Sequence, residues 1–244
     1  MNFFLNLFFF DTFAEFFFKM HVIIVAGGSG FRMNADIPKQ FLEICGKPIL
    51  IHSLMAFAGF CEVAHPVVVI CPSQIKRWHE LCKKHNFSMP HQLAEGGSTR
   101  FQSVKNGLSL IPDEETGLVA VHDGVRPLVS RQTIENCFNE AAKYGCAVPS
   151  VPVVDSVREL CGQSSRMLNR SALRLIQTPQ VFDVALLKKA YQQEYSTLFT
   201  DCASVFESAG NIIHLANGNV ENIKITNSHD LAVAEAYFNK NFSQ

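Results

Sequence analysis

The chain predicts an α/β fold built on a doubly wound, mostly parallel sheet, and three observations carry that reading. Short apolar, β-branched runs recur at His21–Ala26, Pro66–Cys71, Leu118–His122 and Cys146–Val151, as buried parallel strands require. Between them lie stretches with apolar residues at helical spacing, giving the alternation of a doubly wound sheet. The first strand runs directly into Gly27, Gly28 and Gly30, and the third ends at Asp123; strand ends of this kind are where such sheets bind ligands.

Glycine after the first strand lets the backbone approach a ligand and take positive φ, so that successive N–H groups converge on one anion. Arg32 and Lys39 bring positive charge to the same rim. Met33 stands where the dinucleotide fingerprint needs its third glycine. Gly46-Lys47 is followed by Pro48, with Phe41 where a Walker loop needs glycine, so neither standard phosphate loop is present. A glycine-rich turn with two solvated cations is the plain alternative.

Pro48–Ala58 reads as a helix with proline in its first turn, and Ser73–His85 as an amphipathic helix capped by Ser73. Glu95-Gly96-Gly97-Ser98-Thr99-Arg100 is a second glycine turn, opening a helix through Phe101, Val104, Leu108 and Ile111. Such a helix start suits the base or ribose of a nucleotide, and equally an ordinary capped turn. Asp123-Gly124-Val125-Arg126-Pro127 places an acid where Mg²⁺ or a sugar hydroxyl is commonly met; an Asp–Arg pair stiffening the turn is the other reading. After a helix at Ser130–Tyr144, residues 152–176 interrupt the alternation. Two strand-like pieces around Gly162-Gln163-Ser164-Ser165 predict a hairpin leaving the sheet, and a lone ribbon is marginal in water, so it is expected to pack on another chain. Gln177-Thr178-Pro179-Gln180-Val181-Phe182 leads into a helix through Tyr191, and Thr200-Asp201 opens the next. Asn211–Leu215 and Glu221–Thr226 read as closing strands, with Lys224 on the face opposite Ile223 and Ile225, and Ser228 caps a last helix through Phe238.

The 244 residues are enough for one large domain, expected at 20–244 with no linker inside it. Lys plus Arg (21) nearly balance Asp plus Glu (22), and no basic run occurs, which argues against a nucleic-acid partner. Eight cysteines are scattered without a CxxC pair or a Cys/His set at zinc spacing, pointing to reduced thiols and a cytoplasmic protein. The histidines form no Ser/His/Asp or Cys/His set and read as structural or surface residues. Residues 1–19 hold nine of the 21 phenylalanines but lack a basic n-region and a cleavage site, and Asp11 and Glu15 interrupt the apolar run. They are read as an extension outside the fold, neither signal peptide nor membrane span.

Ala26-Gly27-Gly28-Ser29-Gly30-Phe31-Arg32-Met33 with Pro38-Lys39-Gln40-Phe41 resembles the signature of nucleotidyltransferases that join an NTP to a phosphorylated sugar or polyol. With GGSTR, HDGVRP, VVDSV, LNR, QTPQVF, TDCAS and NIKIT following in order, residues 20–240 resemble the 2-C-methyl-D-erythritol 4-phosphate cytidylyltransferases of non-mevalonate isoprenoid biosynthesis. The resemblance implies a Rossmann-like sheet of the nucleotide-diphospho-sugar transferase type and transfer of CMP from CTP to the polyol phosphate. It implies Mg²⁺, held mainly by the triphosphate with Asp123 as a candidate contact, and a homodimer clasped through the hairpin. By motif position, Ala26, Gly27, Gly28 and Gly30 would cradle the triphosphate, and Arg32 and Lys39 would stabilise charge at the α-phosphorus. Gly97 and Ser103 would lie near the cytosine, and Asp123 and Gly124 near the ribose and polyol phosphate. Arg170 and Lys224 would position the attacking phosphate, helped by Arg126, Ser156, Thr178 and Thr200, with Ser156 and Arg170 supplied to the neighbour's site. Gly124-Val125 replaces a common alanine pair, Ser156 stands where threonine is frequent, and Cys202 stands where an acid is common. The sister pentitol-phosphate cytidylyltransferases share the glycine loop, PKQF and QTPQ. A nucleotide-binding module without turnover would leave Arg32, Lys39, Arg170 and Lys224 idle.

Overall fold

The computed structural model describes residues 19–28, 37–60 and 66–241. Gly30, Arg32 and residues 1–18 of the expected extension lie outside the described residues. The chain runs through β1 (Met20–Ala26), the short pair β2 (Glu43–Ile44) and β3 (Lys47–Pro48), α1 (Ile49–Met55), β4 (Val67–Ile70) and α2 (Ile75–Lys84). Next come β5 (Gln92–Glu95), α3 (Arg100–Leu108), β6 (Leu118–Asp123), α4 (Arg131–Tyr144), β7 (Cys146–Pro152) and the hairpin β8 (Val157–Cys161) and β9 (Ser164–Leu168). It closes with β10 (Arg174–Ile176), β11 (Gln180–Asp183), α5 (Val184–Ala190), α6 (Cys202–Ser208), β12 (Leu215–Asn217) and α7 (Ser228–Asn241).

The main sheet has the order β10-β7-β11-β6-β1-β4-β5, with β12 also on β7. β1 lies parallel to both β4 and β6, with Ile24 opposite Val68 on one side and His122 on the other. β11 enters antiparallel between β6 and β7, so the sheet is mixed but mostly parallel. The central strands β1, β4 and β6 are apolar at all positions but His21, His122 and Asp123, because helices cover both faces. Ile24, Leu54, Trp78 and Phe138 pack under α1, α2 and α4, while Ile23, Val104, Leu187 and Val205 pack under α3, α5 and α6. Neighbours Ile23 and Ile24 thus serve opposite layers, as strand periodicity demands, each contributing about 1.5–3 kcal/mol by burial. A third cluster of Ile44, Ile49, Val125, Leu128, Ile225 and Ala234 ties β2, α7 and the turn after β6 together.

Several local readings shift. Pro48 precedes α1 as its N-cap instead of sitting in the first turn. Ser73 caps nothing; Pro72–Gln74 forms a single 3-10 turn and α2 starts at Ile75. The helix after the second glycine turn ends at Leu108, with Ile111 buried beyond it. Asn227, not Ser228, caps α7, since its side-chain oxygen accepts the Asp230 N–H at 2.9 Å. The closing strand is Leu215–Asn217, and residues 222–226 form no ladder. Lys19, expected in the extension, is held to the fold: its carbonyl accepts the Leu118 N–H at 3.0 Å and its ammonium meets Glu115 at 2.8 Å.

Among the described residues no helix is long and apolar enough to cross a membrane. The described cysteines, Cys45, Cys71, Cys82, Cys137, Cys146, Cys161 and Cys202, are free thiols.

Candidate functional site

The site grows from the carboxyl ends of β1 and β6, which the register sets side by side with Val25 opposite Asp123. Gly124 follows at once, its N–H donating to the Val25 carbonyl at 2.9 Å. A Cβ there would stand 3.2 Å from Ala26 Cβ and from the Val25 oxygen, so a residue without a side chain keeps the turn close to the first strand.

Asp123 is only 6% exposed and is met by cations from three segments. Arg126 Nε lies 3.3 Å and Lys224 Nζ 3.0 Å from its Oδ2, and Arg100 Nη2 lies 3.5 Å from its Oδ1. Burial alone would push the carboxyl up, but Arg100, Lys224 and Arg126 together hold it well below the usual carboxylate range. One carboxylate cannot balance three cations, and the surplus positive charge makes this end of the sheet an anion site. Lys224, its side chain 42% exposed, is the most open of the three.

The two glycine turns meet beside this cluster. A Cβ on Gly27 would lie 3.2 Å from Ser103 Oγ and 3.4 Å from Gly96 Cα, so the backbones approach as only glycines permit. Ser103, buried on α3, donates to the Thr99 carbonyl at 2.9 Å and accepts the Gly97 N–H at 3.0 Å, shaping the second turn from within. Thr99 caps α3 by accepting the Gln102 N–H. The PKQF stretch is fastened to the first loop by buried Gln40, whose amide donates to the carbonyls of Ala26 at 2.9 Å and Gly28 at 3.3 Å. Phe41 anchors the same 3-10 turn, Lys39–Phe41, by stacking on Trp78, so Lys39 is presented beside the loop.

The structure therefore gathers Ala26, Gly27, Gly28, Lys39, Gly97, Ser103, Asp123, Gly124, Arg126 and Lys224 around one end of the sheet. Thr178 joins them from the interior: it is 4% exposed, and its hydroxyl accepts the Asp123 N–H at 3.1 Å and bonds His122 Nδ1 at 3.0 Å. Ser156 and Arg170 stand apart on the hairpin segment. Both are exposed, and the Arg170 guanidinium donates to the Val154 carbonyl. Thr200 is exposed just before α6, where Asp201 caps the helix and accepts a hydrogen bond from Gln180 at 2.7 Å.

Sequence reasoning overlooked Arg100, Gln40, Asn222 and His122. A cation at the first position of the helix that follows a glycine turn, in Gly96-Gly97-Ser98-Thr99-Arg100, was the visible signal for Arg100. Nothing local marked the others, whose partners are distant in sequence. Among the described residues no three His, Cys, Asp or Glu side chains are grouped to hold a metal ion, and Asp123 is the one carboxylate shown within the cation cluster.

Comparison with known proteins identifies the family and the fold. The 2-C-methyl-D-erythritol 4-phosphate cytidylyltransferase family model matches residues 20–240. A protein of that name from Phocaeicola vulgatus is 50% identical over 215 residues, covering 88% of this chain and 97% of the relative. One from Bacillus licheniformis is 37% identical, covering 88% of this chain and 94% of its own. Among solved structures, the Thermus thermophilus enzyme of the same name superposes with a TM-score of 0.72 at 32% identity, covering 90% of this chain and 98% of its own. The 4-diphosphocytidyl-2C-methyl-D-erythritol synthase of Anaerococcus prevotii superposes at 0.77 with 26% identity, covering 91% and 99%. With a family match across the whole described sheet and relatives covered nearly end to end, the chain belongs to the 2-C-methyl-D-erythritol 4-phosphate cytidylyltransferase family.

Proposed function

We propose that the chain transfers the cytidylyl group of CTP to the phosphate of 2-C-methyl-D-erythritol 4-phosphate, releasing pyrophosphate, in isoprenoid precursor biosynthesis. The observation that carries this is the convergence of Arg100, Arg126 and Lys224 on Asp123 beside two touching glycine turns. In the reaction a phosphate oxygen of the polyol ester attacks the α-phosphorus of CTP. The bond from that phosphorus to the β,γ-pyrophosphate breaks, and the leaving oxygen takes the electron pair.

The nucleophile is already an anion, so the reaction asks for charge neutralisation and in-line placement more than for a general base. Ala26, Gly27, Gly28 and Gly30 would present backbone N–H groups to the triphosphate, and Arg32 and Lys39 would stabilise charge growing at the α-phosphorus. Gly97 and Ser103 would lie near the base, and Asp123 and Gly124 near the ribose and the polyol phosphate. Lys224 and Arg126 would hold the attacking phosphate, with Thr178 supporting them from below and Thr200 at the rim. Mg²⁺ fits this donor set as an ion carried by phosphate oxygens, because it keeps several waters and needs only one or two protein carboxylates. Asp123 would be the candidate protein contact, and the ion would supply further neutralisation of the triphosphate.

The exposed hairpin supports a homodimer. Among the described residues β8 and β9 pair only with each other, and Val154, Leu160 and Met167 are 79%, 82% and 75% exposed, a surface suited to a second copy. Ser156 and Arg170 would then reach the neighbour's site. Small anionic substrates and balanced overall charge fit a cytoplasmic enzyme with no nucleic-acid or membrane partner. A pentitol phosphate as acceptor is not favoured, since the relatives carry the methylerythritol name. A binding module without turnover is disfavoured by the clustered cations. Incubation with CTP, methylerythritol phosphate and Mg²⁺, followed by ³¹P NMR, should give the paired doublets of a new diphosphate diester together with pyrophosphate. Hydrolysis of CTP without such a diester would reject the reading.

A further inference from the structure

We infer that His122 is a positioning residue, closing a ring of four hydrogen bonds that holds together three chain segments: the one carrying Asp123 and Arg126, the one carrying Thr178 and the one carrying Lys224. His122 is fully buried at the end of β6, with its ring edge-on to Phe57 at 5.1 Å, so it does not reach a substrate. Its Nε2 lies 3.0 Å from the Arg126 carbonyl, which can only accept, and that places the ring proton on Nε2. Nδ1 is then an acceptor, and Thr178 Oγ donates to it at 3.0 Å while taking the Asp123 N–H on a lone pair.

The ring continues outward. Arg126 Nη1 donates to the Asn222 carbonyl at 2.8 Å, and Asn222 Nδ2 donates to the Thr178 carbonyl at 2.8 Å. Every bond therefore runs in one sense, from Thr178 to His122 to Arg126 to Asn222 and back to Thr178, and the imidazole, accepting at one nitrogen and donating at the other, is the member through which two of the bonds polarise each other. The ring joins the turn after β6, the stretch before β11 and the irregular segment 222–226; the first two are neighbours through the β6–β11 ladder, whereas segment 222–226 forms no ladder and depends on such bonds. Lys224 follows Asn222 by two residues, and Ile225 N donates to the Val125 carbonyl at 2.9 Å, completing the lashing. Burial also favours the neutral ring, lowering its pKa to about 4.

This inference rests on the proposed reaction only for its kinetic consequence. The ring supports the polyol-phosphate side of the site, whereas the glycine turns are organised by Gln40 and Ser103. His122→Phe fills the same space with neither bond. It should lower kcat/KM for methylerythritol phosphate by about tenfold or more, while KM for CTP stays within about twofold. His122→Gln, whose amide nitrogen reaches the Nε2 position, should recover part of the loss by restoring the donor to Arg126. The folded wild-type enzyme should show ¹⁵N shifts with a protonated Nε2 and an unprotonated Nδ1.

A protonated Nδ1 in the neutral ring, unchanged kinetics in folded His122→Phe, or equal damage to both substrates would each overturn the inference. Should His122→Phe not fold, the wild-type tautomer and the kinetics of His122→Gln decide alone. Here a loss of polyol-phosphate kcat/KM with CTP KM kept supports the inference, and unchanged kinetics oppose it. If the wild type itself makes no product, the proposed reaction has failed, and the tautomer still tests the ring separately.

Discussion

At the residue scale the site is an excess of fixed cations around a single buried carboxylate. Lys39 belongs to the glycine-loop side of it, where the proposed reaction would accumulate charge during transfer. Lys39→Ala should therefore lower turnover by ~10²–10³, about 2.7–4 kcal/mol of transition-state stabilisation, with a much smaller change in CTP affinity. Steady-state kinetics beside CTP titration make the comparison, and unchanged turnover would remove Lys39 from the chemistry. Most of the residues converging here were legible from motif order. Of the polar residues that hold them only Thr178 was singled out, and its bonds were not legible, because Thr178 lies 56 positions from His122 and 44 from Asn222. A hydrogen bond across such a distance leaves no mark on local periodicity.

At the element scale the strong apolar runs were legible and the short ones were not. β1, β4, β6 and β7 announce themselves as continuous β-branched stretches. β5 and β11 are each four residues long and read as loop or helix lead-in. Residues 223–225 show the opposite error: their alternation is real, with Ile225 fully buried and Lys224 exposed, yet the segment is lashed by side chains instead of a ladder. The hairpin was recognised correctly, and its role in a second subunit is testable. Dimers of Lys39→Ala and of Arg170→Ala should each be nearly inactive, and mixing them with subunit exchange should restore activity, because one site of each hybrid then holds both residues. No recovery despite demonstrated exchange would assign Arg170 to its own chain's site.

At the scale of the whole molecule, helices on both faces and parallel strands at the centre direct the ends of β1 and β6 to one place, where the proposed chemistry would be assembled. The sheet already has its complete first strand from Met20, and the described fold begins with the contacts of Lys19. Removing residues 1–18 should thus leave solubility, melting temperature and activity essentially unchanged. A large drop in melting temperature would show that this segment stabilises the domain.

The choice of acceptor is the central claim, since the same cations would hold the phosphate of either candidate polyol. A methyl group in an apolar pocket is worth only about 1–3 kcal/mol, whereas an unpaired buried hydroxyl partner discriminates more strongly. The most direct measurement is pyrophosphate release from CTP with methylerythritol phosphate and with ribitol 5-phosphate in turn. The higher kcat/KM should belong to methylerythritol phosphate; a higher value for ribitol 5-phosphate would contradict the assignment.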